Sequence, residues 1–122
     1  MAESPVSVRE ADSVAIVEFR ERATLDTPTV EAVSGELYRL VEQKQQRAIV
    51  LDLTNVHFVS SPALSMLLHL RRRADEQHCE VVLCGLRPDI SRLFRITKLD
   101  KLFVFVPTAA DALARFAPPQ AG

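Results

Sequence analysis

Glycine is scarce in this chain, and its scarcity closes off a class of function. Only Gly35, Gly85 and Gly122 occur in 122 residues. A loop that cradles a phosphate needs clustered glycines, because a Cβ holds the backbone away from the phosphate oxygens. Neither a dinucleotide fingerprint nor a Walker loop can be assembled from glycines so widely spaced. Cysteine is almost as rare. Cys79 and Cys84 fall in one predicted strand and point to its opposite faces. That spacing separates them by about 16 Å at roughly 3.3 Å per residue, whereas a disulfide needs Cα atoms within about 7 Å. They are read as reduced thiols of a cytoplasmic protein. His57, His69 and His78 do not combine with them in any zinc spacing, so no metal and no cofactor are expected. No apolar run approaches the roughly 18 residues of a membrane span, and MAESPVSVRE lacks the basic start and apolar core of a secretory signal. Membrane insertion is therefore not expected. Neither is nucleic-acid binding, because a net charge of −1 supplies no general attraction to phosphate backbones.

What is present is a regular alternation. Val6–Arg9 and Val14–Phe19 read as short strands joined by a hairpin at Ala11-Asp12-Ser13. Thr27-Pro28 announces a helix, with Thr27 as the cap, and Val30, Val33, Leu37, Leu40 and Val41 recur at helical spacing through 28–45. RAIVLDL, Arg47–Leu53, is nearly unbroken in its apolarity, as befits a central strand covered on both faces. A second helix is expected over Pro62–Gln77, a strand over Glu80–Cys84, a short helix over Asp89–Thr97 and a strand over Leu102–Val106. Thr108 and Asp111 have the spacing of a capping box for a last helix, 109–116. The tail APPQAG is expected to fray. The order β-β-α-β-α-β-α-β-α implies one α/β domain across 1–122, with its core at about 6–116 and a tail at 117–122. Its sheet is mixed and mostly parallel, with four or five strands and about four helices packed against it.

Catalysis finds little support. Ser61, His69 and Asp52 could form a triad on paper, but nothing like G-x-S-x-G surrounds Ser61. Its neighbour Pro62 lacks the N–H that hydrolases of this geometry place in their oxyanion hole. The chain is read as a non-enzyme. Arg71, Arg72 and Arg73 fan out over about 200° of a helix and cannot form one patch.

The stretch HFVSSPALSM remains. Ser61 followed by Pro62 makes a good helix start, with Ser61 as the cap. Counting by threes and fours from Ser61 gives Ser65, His69 and Arg72, a polar strip opposite Ala63, Leu64, Leu67, Leu70 and Ala74. A phosphoryl group on Ser61 would feel the positive end of the helix dipole and meet its N–H donors. It would add about two negative charges to that strip.

From Val6 to Phe116 the chain resembles the STAS domain of bacterial anti-sigma-factor antagonists. The resemblance rests on LDLTNVHFVSSPALSMLL and VVLCGLRPDISRLFRITKLDKLF. It implies a STAS-type fold and a phosphorylated serine at Ser61, with Ser60 the alternative. It further implies a GHKL-type anti-sigma serine kinase as partner, bound by the unphosphorylated form, and a PPM-type phosphatase that resets the switch. The partner-binding face would comprise Ser60, Ser61, Ser65, His69 and Arg72. Where the family reads Asp-Ser-Ser/Thr-Gly-Leu, this chain has Ser60, Ser61, Pro62, Ala63 and Leu64. Ser60 thus removes a carboxylate beside the acceptor, Pro62 stiffens the next position and Ala63 adds a methyl. The other reading is a STAS accessory subunit of a transporter, or another constitutive binding module, that is never phosphorylated.

Overall fold

The computed structural model describes residues 5–20, 22–43 and 46–116. The last two positions of the expected first helix, 44–45, and the tail 117–122 lie outside them. Among the described residues seven strands and four helices run in the order β1 (Val6–Ala11), β2 (Val14–Phe19), β3 (Ala23–Leu25), α1 (Thr27–Gln43), β4 (Ala48–Asp52), β5 (Val56–Val59), α2 (Ser61–Glu76), β6 (Glu80–Cys84), α3 (Pro88–Ile96), β7 (Val104–Val106) and α4 (Ala109–Phe116). A 3-10 turn, Leu99–Lys101, precedes β7. The main sheet has the order β1-β2-β4-β6-β7. Its β1–β2 pair is antiparallel and every other pair is parallel. This is the mixed, mostly parallel α/β architecture expected.

β4 lies at the centre, and its apolar run is split between two cores. Ile49 and Leu51 face the larger one, with α1, α2 and α3. Ala48 and Val50 face the smaller one, covered among the described residues by α4 alone. The strand period of two makes the division, because successive side chains leave a strand on opposite faces. Cys79 and Cys84 obey the same rule and join opposite cores as free, buried thiols. Burial pushes the Cys79 thiol up to about 11. It pushes the Cys84 thiol up to about 12, with the charge of Asp52 adding to the effect. Alkylation at pH 8 should therefore be at least about 100-fold slower in the folded chain than for a free cysteine, because only the thiolate reacts. Timed iodoacetamide labelling read by mass spectrometry checks this; native rates equal to those in denaturant would refute it.

Two strands escaped the sequence reading. β3 and β5 form a separate parallel pair beyond the C-terminal end of the main sheet's β4. At three and four residues they are too short for an alternation to show. Their register also breaks between Ala23 and Thr24, so that Ala23 faces Val56 while Thr24 faces Phe58. Two further expectations need correction. α1 starts at Thr27, and its cap is Asp26, whose Oδ1 accepts from the Thr29 N–H at 3.0 Å. Hydrogen bonds from Thr29 hold the Asp26 carboxyl below the usual range. The last strand covers only Val104–Val106, because Leu99–Lys101 coils as a 3-10 turn before it. The capping box of α4 is as expected, with the Asp111 N–H donating to Thr108 Oγ1 at 3.1 Å.

Candidate functional site

The loops at the C-terminal ends of the parallel strands carry the site, as the geometry of open α/β sheets favours. β4 ends at Asp52, whose Oδ1 accepts from both the N–H (3.1 Å) and the hydroxyl (2.6 Å) of Thr54. That carboxylate is engaged in a tight local turn rather than offered to a triad. The turn returns the chain as β5, and the Ser60 N–H donates to the Leu25 carbonyl of β3 at 3.0 Å. The start of α2 is thereby fixed to two elements.

Ser60, not Ser61, caps α2. Its Oγ accepts from the Ala63 N–H at 3.2 Å, and its carbonyl accepts from the Leu64 N–H at 3.1 Å. Ser61 is the first helical residue and Pro62 the second, so the cap falls one residue earlier than expected. The correction matters chemically. The Ser60 hydroxyl is occupied and half-buried, whereas the Ser61 side chain is exposed and takes part in no hydrogen bond among the described residues. The first turn also has fewer donors than expected for a phosphate. Pro62 has no N–H, and those of Ala63 and Leu64 are already bound. Ser60→Ala should cost about 1 kcal/mol of stability, and Ser61→Ala less than about 0.5 kcal/mol. Urea unfolding of both variants checks this, and equal losses would return the cap to Ser61.

Ser65, His69 and Arg72 are all exposed and lie on the same side of α2 as Ser61. The helix brings these four to one face. Ser60 stands at its head but turns inward. Ala63, Leu67, Leu70 and Ala74 are buried as expected; Leu64 is half-buried, and Met66 joins the core. The three arginines part company. Arg71 reaches Asp75, Arg72 is exposed, and Arg73 crosses to α1, pairing with Glu42 at 2.6 Å and lying 4.1 Å over the Tyr38 ring.

Phe58 is the residue that sequence reasoning missed. Strict alternation would bury it with Val56. The register break in the β3–β5 pair admits one extra residue, so Val56 and Val59 point inward and both His57 and Phe58 point out. Phe58 is 51% exposed, three residues before Ser61. Its signal was an aromatic two residues before the Ser60 cap of a polar helix start.

This is a small α/β domain whose distinctive feature is an exposed serine at the first residue of a helix, beside an exposed aromatic. Residues 5–112 match the family model described as the STAS domain, and the chain belongs to that family. An anti-sigma F factor antagonist of Paenibacillus polymyxa is 26% identical over 89 residues, covering 73% of this chain and 76% of that protein. An anti-sigma factor antagonist from Mycobacterium paratuberculosis has a solved structure that is 30% identical, with a TM-score of 0.75, 90% of this chain covered and 91% of that one. The fold is also that of the Bacillus cell fate determinant SpoIIAA in its phosphorylated form, at a TM-score of 0.72 and 15% identity, covering 92% of this chain and 99% of the other.

Proposed function

We propose that this STAS domain is a cytoplasmic anti-sigma-factor antagonist switched by phosphorylation of Ser61. Unphosphorylated, it binds an anti-sigma serine kinase of GHKL type through Ser61, Ser65, His69 and Arg72, with Phe58 as an apolar anchor and Ser60 as the support of the helix start. Binding occupies the kinase and frees its sigma factor. Phosphorylation places about two negative charges in the middle of that face and ends the complex. A PPM-type phosphatase restores it.

The observation that carries this reading is the division of labour between the two serines. Ser60 holds the helix, which leaves the Ser61 hydroxyl exposed and unengaged. Relatives named as anti-sigma factor antagonists support the class. The Ser61 phosphate has few local donors, so its charge would be presented outward to the partner rather than absorbed by the helix. Charge placed in a packed interface must be desolvated or must face like charge, at a cost of several kcal/mol.

The test is phosphopeptide mapping of 57–70 from the native cells, with phosphatases inhibited, in stressed and unstressed cultures. Phosphate on Ser61 at substantial occupancy is the expected result. A fully covered peptide without phosphate under every condition would make the domain a constitutive binding module.

A further inference from the structure

A second face differs from the Ser61 strip in both charge and shape. Residues 87–101, which include α3 and the 3-10 turn, carry Arg87, Arg92, Arg95, Lys98 and Lys101 against two carboxylates, Asp89 and Asp100. Elsewhere four arginines meet carboxylates: Arg9 with Glu18 at 2.6 Å, Arg73 with Glu42 at 2.6 Å, Arg115 with Glu80 at 2.8 Å and Arg71 with Asp75 at 3.5 Å. Among the described residues none of the five cations of 87–101 makes an ion pair, and Arg95 donates only to the Ser91 hydroxyl at 3.3 Å.

Among the described residues, two of the three large apolar side chains left in solvent lie in this stretch or directly after it. Ile96 is 66% exposed and Leu102, next to Lys101, is 39% exposed. On α3, Ile90 and Phe94 point into the core. Arg92, Arg95 and Ile96 fall on the outward side at i, i+3 and i+4, where they line a shallow groove with Pro88, Asp89 and Leu93. Exposed aliphatic side chains among unpaired cations are poorly suited to water alone, because both gain from a partner of complementary character.

We propose that this face, α3 with the following turn to Leu102, is a docking surface for an acidic segment of a partner protein. Carboxylates of that segment meet Arg92, Arg95, Lys98 and Lys101, and an aliphatic side chain rests on Ile96 and Leu102. Asp89 and Asp100 sit within the patch and favour a protein over a bilayer. An acidic segment can place its charges against individual cations, whereas a bilayer presents a uniform negative surface to cations and carboxylates alike. A chain of net charge −1 gains little more from such a surface. The surface acts independently of Ser61 phosphorylation.

The test is selection of a displayed random-peptide library on the folded full chain, followed by synthesis of the enriched peptides. Expected are peptides with Asp or Glu flanking Leu, Ile or Phe, whose amide shifts on the labelled protein map to 92–102. Arg92→Glu/Lys98→Glu/Lys101→Glu should weaken them at least about tenfold. Ile96→Ser should weaken them too, and Ser61→Glu should not. The melting temperature of each variant confirms that it is folded. Enrichment of peptides without carboxylates, shifts confined to other surfaces, or affinity unchanged in the folded triple variant would overturn the proposal. So would an absence of enrichment. Binding to phosphatidylglycerol vesicles but to no selected peptide would likewise overturn it and reassign the face to membranes.

Discussion

Replacing Gly85 by alanine is expected to cost about 2–4 kcal/mol and to lower the melting temperature by roughly 10 °C or more. Gly85 has φ +70, in the left-handed region that side chains rarely occupy. A Cβ built there would stand 2.2 Å from Thr54 Oγ1, 3.0 Å from Asp52 Oδ1 and 3.1 Å from the Thr54 nitrogen. The Thr54 hydroxyl cannot simply rotate away, because its 2.6 Å hydrogen bond to Asp52 closes the turn that leads into β5 and the serines. Two terms therefore add: backbone strain and a collision with a committed side chain. Adding Thr54→Ala should recover most of the second, since it removes the 2.2 Å contact, but not the first, so the double variant stays below the parent with Thr54→Ala alone. Gly35, within α1, is the contrast, since a Cβ added there would meet nothing within 4 Å. Gly35→Ala should stabilise by about 0.5–1 kcal/mol. Chemical denaturation of the four variants decides the matter. An unchanged midpoint for Gly85→Ala would mean that the turn accommodates a methyl and that its geometry has been misjudged.

Ser61→Glu is expected to weaken binding to the proposed kinase partner at least about 100-fold, equivalent to about 2.7 kcal/mol. Glutamate carries one charge where the phosphate carries about two, so the phosphorylated domain should bind more weakly still. Ser61→Ala should bind like the parent but accept no phosphate, which separates the loss of a hydroxyl from the gain of a charge. Phe58→Ala tests the neighbouring anchor and should also weaken binding without altering phosphorylation. Calorimetry with the purified kinase reads all three. Parental affinity in Ser61→Glu would remove the electrostatic switch from this face, even if Ser61 proved to be phosphorylated.

The main sheet was readable because its signals are long and mutually consistent. RAIVLDL suited a strand covered on both sides, and the spacing from Val30 to Val41 suited an amphipathic helix, and both hold in the structure. The starts of α1 and α2 each fall one residue before the sequence expectation, for the same reason. Proline was placed at the first helical position, yet Pro28 and Pro62 each occupy the second. Any position in the first turn suits proline, since those N–H groups need no partner within the helix. The cap therefore moves from Thr27 to Asp26 and from Ser61 to Ser60. β3 and β5 were illegible because they are short and because one extra residue breaks their register. The exposure of Phe58 follows from that break and could not be read without it. The face of Ser61, Ser65, His69 and Arg72 was legible, since helical spacing alone brings them together. Which partner meets that face is not a property of spacing.

The uneven cover of the sheet has a consequence for how the domain opens. Among the described residues three helices share the larger core, while the other face depends on the eight residues of α4, of which Ala112 alone is fully buried. Detaching α4 exposes far less apolar surface than detaching α1 or α2, so it should require far less free energy. Native-state hydrogen exchange should resolve two classes of amide. Those of α4 should exchange through a local opening that denaturant hardly affects, and those of β4 and β6 only through global unfolding. The half of the molecule that presents Ser61 would then keep its shape while the opposite side breathes.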